Sequence, residues 1–182
     1  MENLAHSAKG EIREQPYQKH VSEVLKMAED NAERLSPYTK YGPLLLSAVK
    51  YAASFHDLGK LDLENQQVLR GRKGRLPINH VDGGVAFLFS QPSLVRSLAA
   101  LSIYSHHIGL PSGPTEETRG PGKVFRDETL KKVTDERLPE YLKAHKSLIG
   151  LTDIPEIQWK GSIPSPLCMR IALSCLVDAD HT

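Results

Sequence analysis

The sequence predicts a helical domain, on three observations. Apolar residues recur at helical spacing in Tyr17, Val21, Val24, Leu25, Ala28, Ala32 and Leu35, again in Leu45, Ala48, Val49, Ala52, Ala53 and His56, and once more in Met169, Ala172, Leu173 and Leu176. Breakers separate these stripes: Ser36-Pro37 stops the first, Tyr41-Gly42-Pro43 precedes the second and Gly59 follows it. The chain's 182 residues, 40% hydrophobic and 25% charged, suit one soluble domain with ample material for a core.

Net charge is +1, so whole-molecule electrostatics does not announce nucleic acid, and an anionic partner must be met by a local patch. Cys168 and Cys175 are separated by about 10 Å along a helix, too far for a disulfide, and read as reduced core residues. No cationic start followed by an apolar run opens the chain, and no stretch approaches the roughly 20 apolar residues of a membrane span. A cytoplasmic protein that does not use a membrane is expected.

Taken in order, residues 1–15 are polar and read as an irregular arm with a solvated His6. In the helix from Tyr17, His20 lies at the edge of the apolar face, about 80° from its centre at roughly 100° per residue. That edge suits a ligand facing a cleft or an ordinary, partly exposed histidine. The second helix meets Gly59 just after the doublet His56-Asp57. His56 continues the buried stripe and Asp57 points about 100° away, so the two share a centre only near the helix end, where Gly59 is expected as the cap. Burying a carboxylate costs several kcal/mol unless a hydrogen bond, counter-charge or metal compensates, which makes Asp57 a candidate metal ligand. Lys60 reads as a lysine placed against the helix C-terminus, or as a counter-charge to Asp57.

Residues 61–79 are polar and hold the dense basic cluster Arg70, Arg72, Lys73 and Arg75, which reads either as a solvated loop or as cations for phosphates. Asn79-His80 opens a further helix that Pro92 ends, and Gly83-Gly84 permits close backbone approach. The next helix carries Leu94, Val95, Leu98 and Leu101 on one face and finishes at His106-His107. Residues 110–123, rich in Gly and Pro, are expected as a mobile loop, either a lid over the histidines or a disordered insertion. Residues 125–146 look helical but polar, interrupted by Pro139, with His145 solvated; residues 147–164 read as irregular, with Trp159. In the last helix Asp180 falls within about 20° of Met169 whereas Asp178 points to the opposite side, so Asp180 is the buried carboxylate. The chain stops two residues later, as a domain cut from a longer protein would.

Each of these positions has an ordinary explanation on its own, but together His20, His56, Asp57, His80, His106, His107 and Asp180 make an imidazole and carboxylate set suited to a hydrolytic transition-metal centre. Seven ligands exceed the need of one ion of about four to six ligands, so two ions bridged by a carboxylate, with Asp57 as the bridge, is the economical arrangement.

These residues carry a resemblance. His20, Phe55-His56-Asp57-Leu58-Gly59-Lys60, His80, His106-His107 and Ala179-Asp180 look like the HD metal-dependent phosphohydrolase superfamily. With Leu4-Ala5-His6-Ser7, Asn79-His80 and Ser174-Cys175-Leu176-Val177-Asp178-Ala179-Asp180 added, the chain most closely resembles the HD nuclease domain of the CRISPR type I effector nuclease-helicase, over essentially its whole length. The resemblance implies an all-α HD-domain helical bundle with irregular loops, and a two-metal nuclease that cuts the single-stranded DNA displaced by a guide-RNA surveillance complex in antiviral defence. It implies one ion on His20, His56, Asp57 and Asp180, the other on Asp57, His80, His106 and His107, and Lys60 facing the scissile phosphate or leaving oxygen. A helicase portion normally follows such a domain. The imidazole-rich set favours Mn, Fe, Co, Ni or Zn over Mg, which prefers oxygen ligands. The competing readings are an HD phosphohydrolase acting on nucleotides or cyclic nucleotides, and a non-enzymatic helical module with a structural metal or none.

Overall fold

Gly42–Phe55 is the central helix, α2, because it is apolar almost all round: Leu44, Leu45, Ala48, Val49, Ala52, Ala53 and Phe55 are each fully buried. The computed structural model describes all residues except 1, 9, 12, 72–73, 92, 121–122, 151–156 and 158. Within these the chain is all-α, with eight α-helices and one two-stranded sheet. Around α2 pack α1 (Tyr17–Leu35), α5 (Leu94–Ser105) and α8 (Pro166–Asp180), while α4 (His80–Phe89) lies on α5 and α7 (Lys131–Ile149) on α4. The alanines of α2 supply the close approach that so many helix neighbours need. No helix among the described residues is long and apolar enough to cross a membrane.

Several expectations are corrected. The N-terminal arm is not irregular throughout: β1 (Leu4–His6) pairs antiparallel with β2 (Gln15–Pro16). It is tied to the body by Gln66, whose Nε2 donates to the Leu4 carbonyl at 2.8 Å and whose Oε1 accepts from the Leu4 N–H at 2.9 Å. Gln66 belongs to α3 (Leu63–Gly71), a helix that the sequence did not reveal because two of its three buried residues, Asn65 and Gln66, are polar. Asn65 beside it is equally buried and bonds the carbonyls of Gly59 and Ile78 at 2.8 and 2.9 Å and the Ile78 N–H at 3.0 Å. Two buried amides thus tie the arm, the 3₁₀ turn and the approach to α4 together through backbone hydrogen bonds.

Within residues 110–123, a short helix α6 (Gly113–Glu117) carries a buried Glu116 that accepts from Tyr104 Oη at 3.2 Å and from the Phe125 N–H at 3.0 Å. Helix α7 begins at Lys131, not at residue 125, and runs unbroken through Pro139. Pro139 and Asp135, whose carbonyl loses its donor, are both exposed, which keeps the missing bond out of the core. His145 is fully buried rather than solvated, its Nδ1 3.0 Å from Tyr17 Oη. Leu35 is exposed although its wheel position matched the core stripe. The expected stop at Pro92 lies outside the described residues; α4 already ends at Phe89. Residues 157 and 159–164 have no regular structure, as expected, with Trp159 against Tyr41, while residues 151–156 and 158 lie outside the described residues. Cys168 and Cys175 are free and buried.

Candidate metal centre

Regular α2 ends at Phe55, and His56 and Asp57 occupy the turn before a 3₁₀ helix at Leu58–Leu61. The backbone break at Asp57 (φ −107°, ψ 15°) swings its carboxylate to the same centre as His56, with Asp57 Oδ2 3.4 Å from His56 Nε2. Gly59 is not the left-handed cap expected. It is a place of close approach, since a Cβ there would lie 2.6 Å from the carbonyl oxygen of His80, while one on Gly83 would lie 2.9 Å from the Gly59 nitrogen and one on Gly84 would collide with the Phe55 carbonyl. Three glycines therefore let the start of α4, and His80 with it, dock against the doublet.

The seven predicted ligands form two adjoining groups. In His20, His56, Asp57 and Asp180 one ligand atom of each lies within 4.8 Å of the others, and the same holds for His80, His106 and His107. Asp57 joins the groups: its Oδ2 is 3.1 Å from His20 Nε2, and its Oδ1 is 3.7 Å from His80 Nε2. Asp180 Oδ1 is 3.2 Å from His20 Nε2 and 3.3 Å from His56 Nε2, and Asp178 is exposed, as the wheel required. The first group is closed in, whereas His107 is exposed at the surface.

Two histidines are oriented by the same device. His56 Nδ1 bonds the Ala53 carbonyl at 2.9 Å and His106 Nδ1 the Ile103 carbonyl at 2.5 Å, each three residues back. Spending Nδ1 on a carbonyl directs Nε2 at the centre and fixes the ligating tautomer.

The donor set fits divalent ions. His20 Nε2 faces His56 Nε2 at 3.2 Å and His80 Nε2 faces His107 Nε2 at 3.0 Å, pairs of lone pairs that need a proton or an ion between them. His106 Nε2 is buried without a hydrogen-bond partner, and neither Asp57 oxygen has a hydrogen bond of good geometry, although Lys60 Nζ sits 2.6 Å from Oδ2. In the protein alone, charge settles this. Burial opposes ionisation of Asp57, but Lys60 and His56 outweigh it and hold the carboxyl well below the usual range. Burial would likewise lower His56, yet Asp57 and Asp180 push it up to about 10. The second group is different: burial lowers His80 to about 4 and His106 to about 3, which leaves neutral imidazoles able to ligate.

Lys60 is buried and engaged with Asp57, a counter-charge rather than a helix-end lysine. Of the basic cluster, Arg70 turns to the arm, donating to the Glu2 carbonyl at 3.1 Å; Arg75 lines a cavity that reaches His80 and His107; Arg72 and Lys73 lie outside the described residues. Two residues were missed. His6 packs its ring edge-on to His20 at 4.7 Å, and His181 forms a third group with His107 and Asp180, its Nε2 3.9 Å from Asp180 Oδ2. Adjacency to Asp180 was a signal for His181; His6 stood in the quoted Leu4-Ala5-His6-Ser7 but was expected to be solvated. The buried His20, His56, Asp57 and Asp180 can hold a metal ion. The chain matches no protein-family model, no curated protein and no solved structure.

Proposed function

We propose that this chain is a metal-dependent nuclease that hydrolyses phosphodiester bonds of single-stranded DNA in CRISPR antiviral defence, using two divalent ions in the groups that share Asp57. The observation that carries the proposal is the convergence of seven dispersed side chains, from both ends and the middle of the chain, on one centre. Their order, which resembles the HD nucleases, supports DNA as the substrate and a helicase and a guide-RNA surveillance complex as partners.

His20, His56, Asp57 and Asp180 would hold one ion, and Asp57, His80, His106 and His107 the other; the imidazole majority suits Mn, Fe, Co, Ni or Zn better than Mg. Such ions supply Lewis acidity, lowering the pKa of water from 15.7 towards roughly 7 and neutralising phosphate charge. The residues do the rest. Asp57 holds the two groups in fixed register, and the carbonyls of Ala53 and Ile103 keep His56 and His106 from rotating. Lys60 provides a fixed cation beside the shared carboxylate, 2.6 Å from Asp57 Oδ2, and with ions bound would add positive charge for the scissile phosphate. His80 and His107, the least enclosed ligands, face the incoming strand.

Incubation with single-stranded DNA and manganese or nickel should give cleavage that the His56→Ala Asp57→Ala protein lacks. No cleavage, or equal cleavage by that variant, sinks the proposal. Phosphate release from mononucleotides or cyclic nucleotides, with DNA left intact, reassigns the same centre to a nucleotide phosphohydrolase.

A further inference from the structure

A cavity of about 920 Å³ opens beside the second group, with His80 and His107 in its wall. Its volume lies at the upper end of the roughly 300–1,000 Å³ of small-ligand sites. The walls differ in chemistry. Leu76, Pro77 and Ile108 are apolar, Arg75, Arg119 and Arg126 cationic, and Asp127 and Glu128 anionic.

Two of these residues have no role in the fold. Ile108 follows directly after His107, yet 67% of it is exposed. Its position is nevertheless fixed, because the Ile108 and Gly109 N–H groups both donate to the Ser105 carbonyl, at 3.1 and 2.7 Å, and Gly109 closes the turn at φ 78°. An isoleucine held out in water next to a ligand histidine is a surface prepared for something apolar. Arg75 has no ion-pair partner among the described residues, whereas Arg70, in the same basic run, is turned to the N-terminal arm.

We propose that this cavity is the subsite for one unpaired nucleotide of a single-stranded polynucleotide, the residue next to the bond presented to His80 and His107. The base lies on the wall of Leu76, Pro77 and Ile108, and Arg75 meets the adjoining phosphate. Asp127 is spent on the Asn79 amide and the Thr129 and Leu130 N–H groups, Arg126 on Asp82 and Asp135, and Arg119 on Glu116, so among the described lining residues Arg75 is the cation left to meet a phosphate. A duplex cannot use the site, because its bases are stacked on both faces and paired along their edges. The subsite rests on the metal-centre reading above for its position but not for its chemistry.

The test is binding of a fluorescein-labelled single-stranded hexanucleotide to the full chain, by anisotropy across a salt series, together with hydrolysis of bis(p-nitrophenyl) phosphate, a small diester that needs the centre but not the cavity. Ile108→Glu is expected to weaken hexanucleotide binding at least tenfold with diester hydrolysis unchanged. Arg75→Ala is expected to reduce the slope of log affinity against log salt by about 0.7, the value for one phosphate contact on a single strand, and Lys143→Ala, at an exposed position of α7 that does not line the cavity, to leave it unchanged. The duplex of the same sequence should bind at least tenfold more weakly than the single strand. Parental binding by both cavity variants, or equal binding of the duplex, overturns the subsite whatever the turnover. Loss of binding in the variants with no diester hydrolysis by the parent supports the subsite and removes the nuclease reading.

Discussion

Gly59→Ala tests whether the approach of α4 to the His-Asp doublet sets the second half of the centre. The added Cβ would lie 2.6 Å from the His80 carbonyl oxygen and 2.7 Å from His80 Cα, where ordinary contact begins at 3.4 Å, so the start of α4 must retreat by about 0.8 Å (3.4 minus 2.6). Both neighbours are backbone and cannot rotate away. Overpacking of this kind costs about 1–3 kcal/mol, and the reduced freedom of the unfolded chain returns about 0.4–1, for a net loss of about 1–2 kcal/mol. At this chain length that is a fall in Tm of about 2–8 °C. The same retreat moves His80 away from Asp57 by several times the ~0.2 Å tolerance of a metal–ligand distance, while the first group lies on α1, α8 and the end of α2 and stays in place. Calorimetry and metal analysis after dialysis against manganese should therefore show a lower Tm and one retained ion where the parent keeps two. Gly71→Ala, where an added Cβ meets nothing within 4 Å, is the control and should not lower Tm. A Gly59→Ala protein with the parental Tm and the parental metal content would refute the reasoning.

Two further outcomes are expected. Asp180→Ala should lower DNA cleavage by at least about 100-fold, the upper end of what losing even an outer-shell partner of a metal ligand costs, whereas Asp178→Ala should stay within twofold; the reverse pattern would place the wrong carboxylate on the centre. Asp62 is buried, which by itself would raise its pKa, but the bonds from Tyr141, Arg137 at 3.0 Å and the Glu64 N–H at 2.8 Å hold it below the ordinary carboxyl range. A depressed carboxyl stabilises the fold above its unfolded pKa of about 3.9 and loses that contribution as pH falls towards its folded value. The Tm difference between the parent and Asp62→Asn should thus be present at pH 7 and shrink below about pH 4; a gap that stays constant down to pH 2 would show that Asp62 contributes nothing through its charge.

The helical stripes of α1, α2, α5 and α8 were legible because each reports its own buried side by periodicity, and the same arithmetic separated Asp180 from Asp178. The seven candidate ligands were legible as a set, since histidines and aspartates at helix ends are costly unless something joins them. Burial of His20 was not, because a wheel gives a direction from one axis, and what covers that direction here is the ring of His6 and the carboxylates of Asp57 and Asp180, all from other elements. The same limit hid α3 and His145. Asn65, Gln66 and His145 are polar, and polar groups read as solvated until tertiary structure supplies the carbonyls and the Tyr17 hydroxyl that satisfy them. Sequence by itself determined which residues have metal-ligand chemistry and which helix faces are buried. Only the tertiary structure decided that Asp57 joins two groups, that Lys60 is spent on Asp57, and that glycines 59, 83 and 84 bring His80 within reach, because distances between elements depend on packing that no single segment contains.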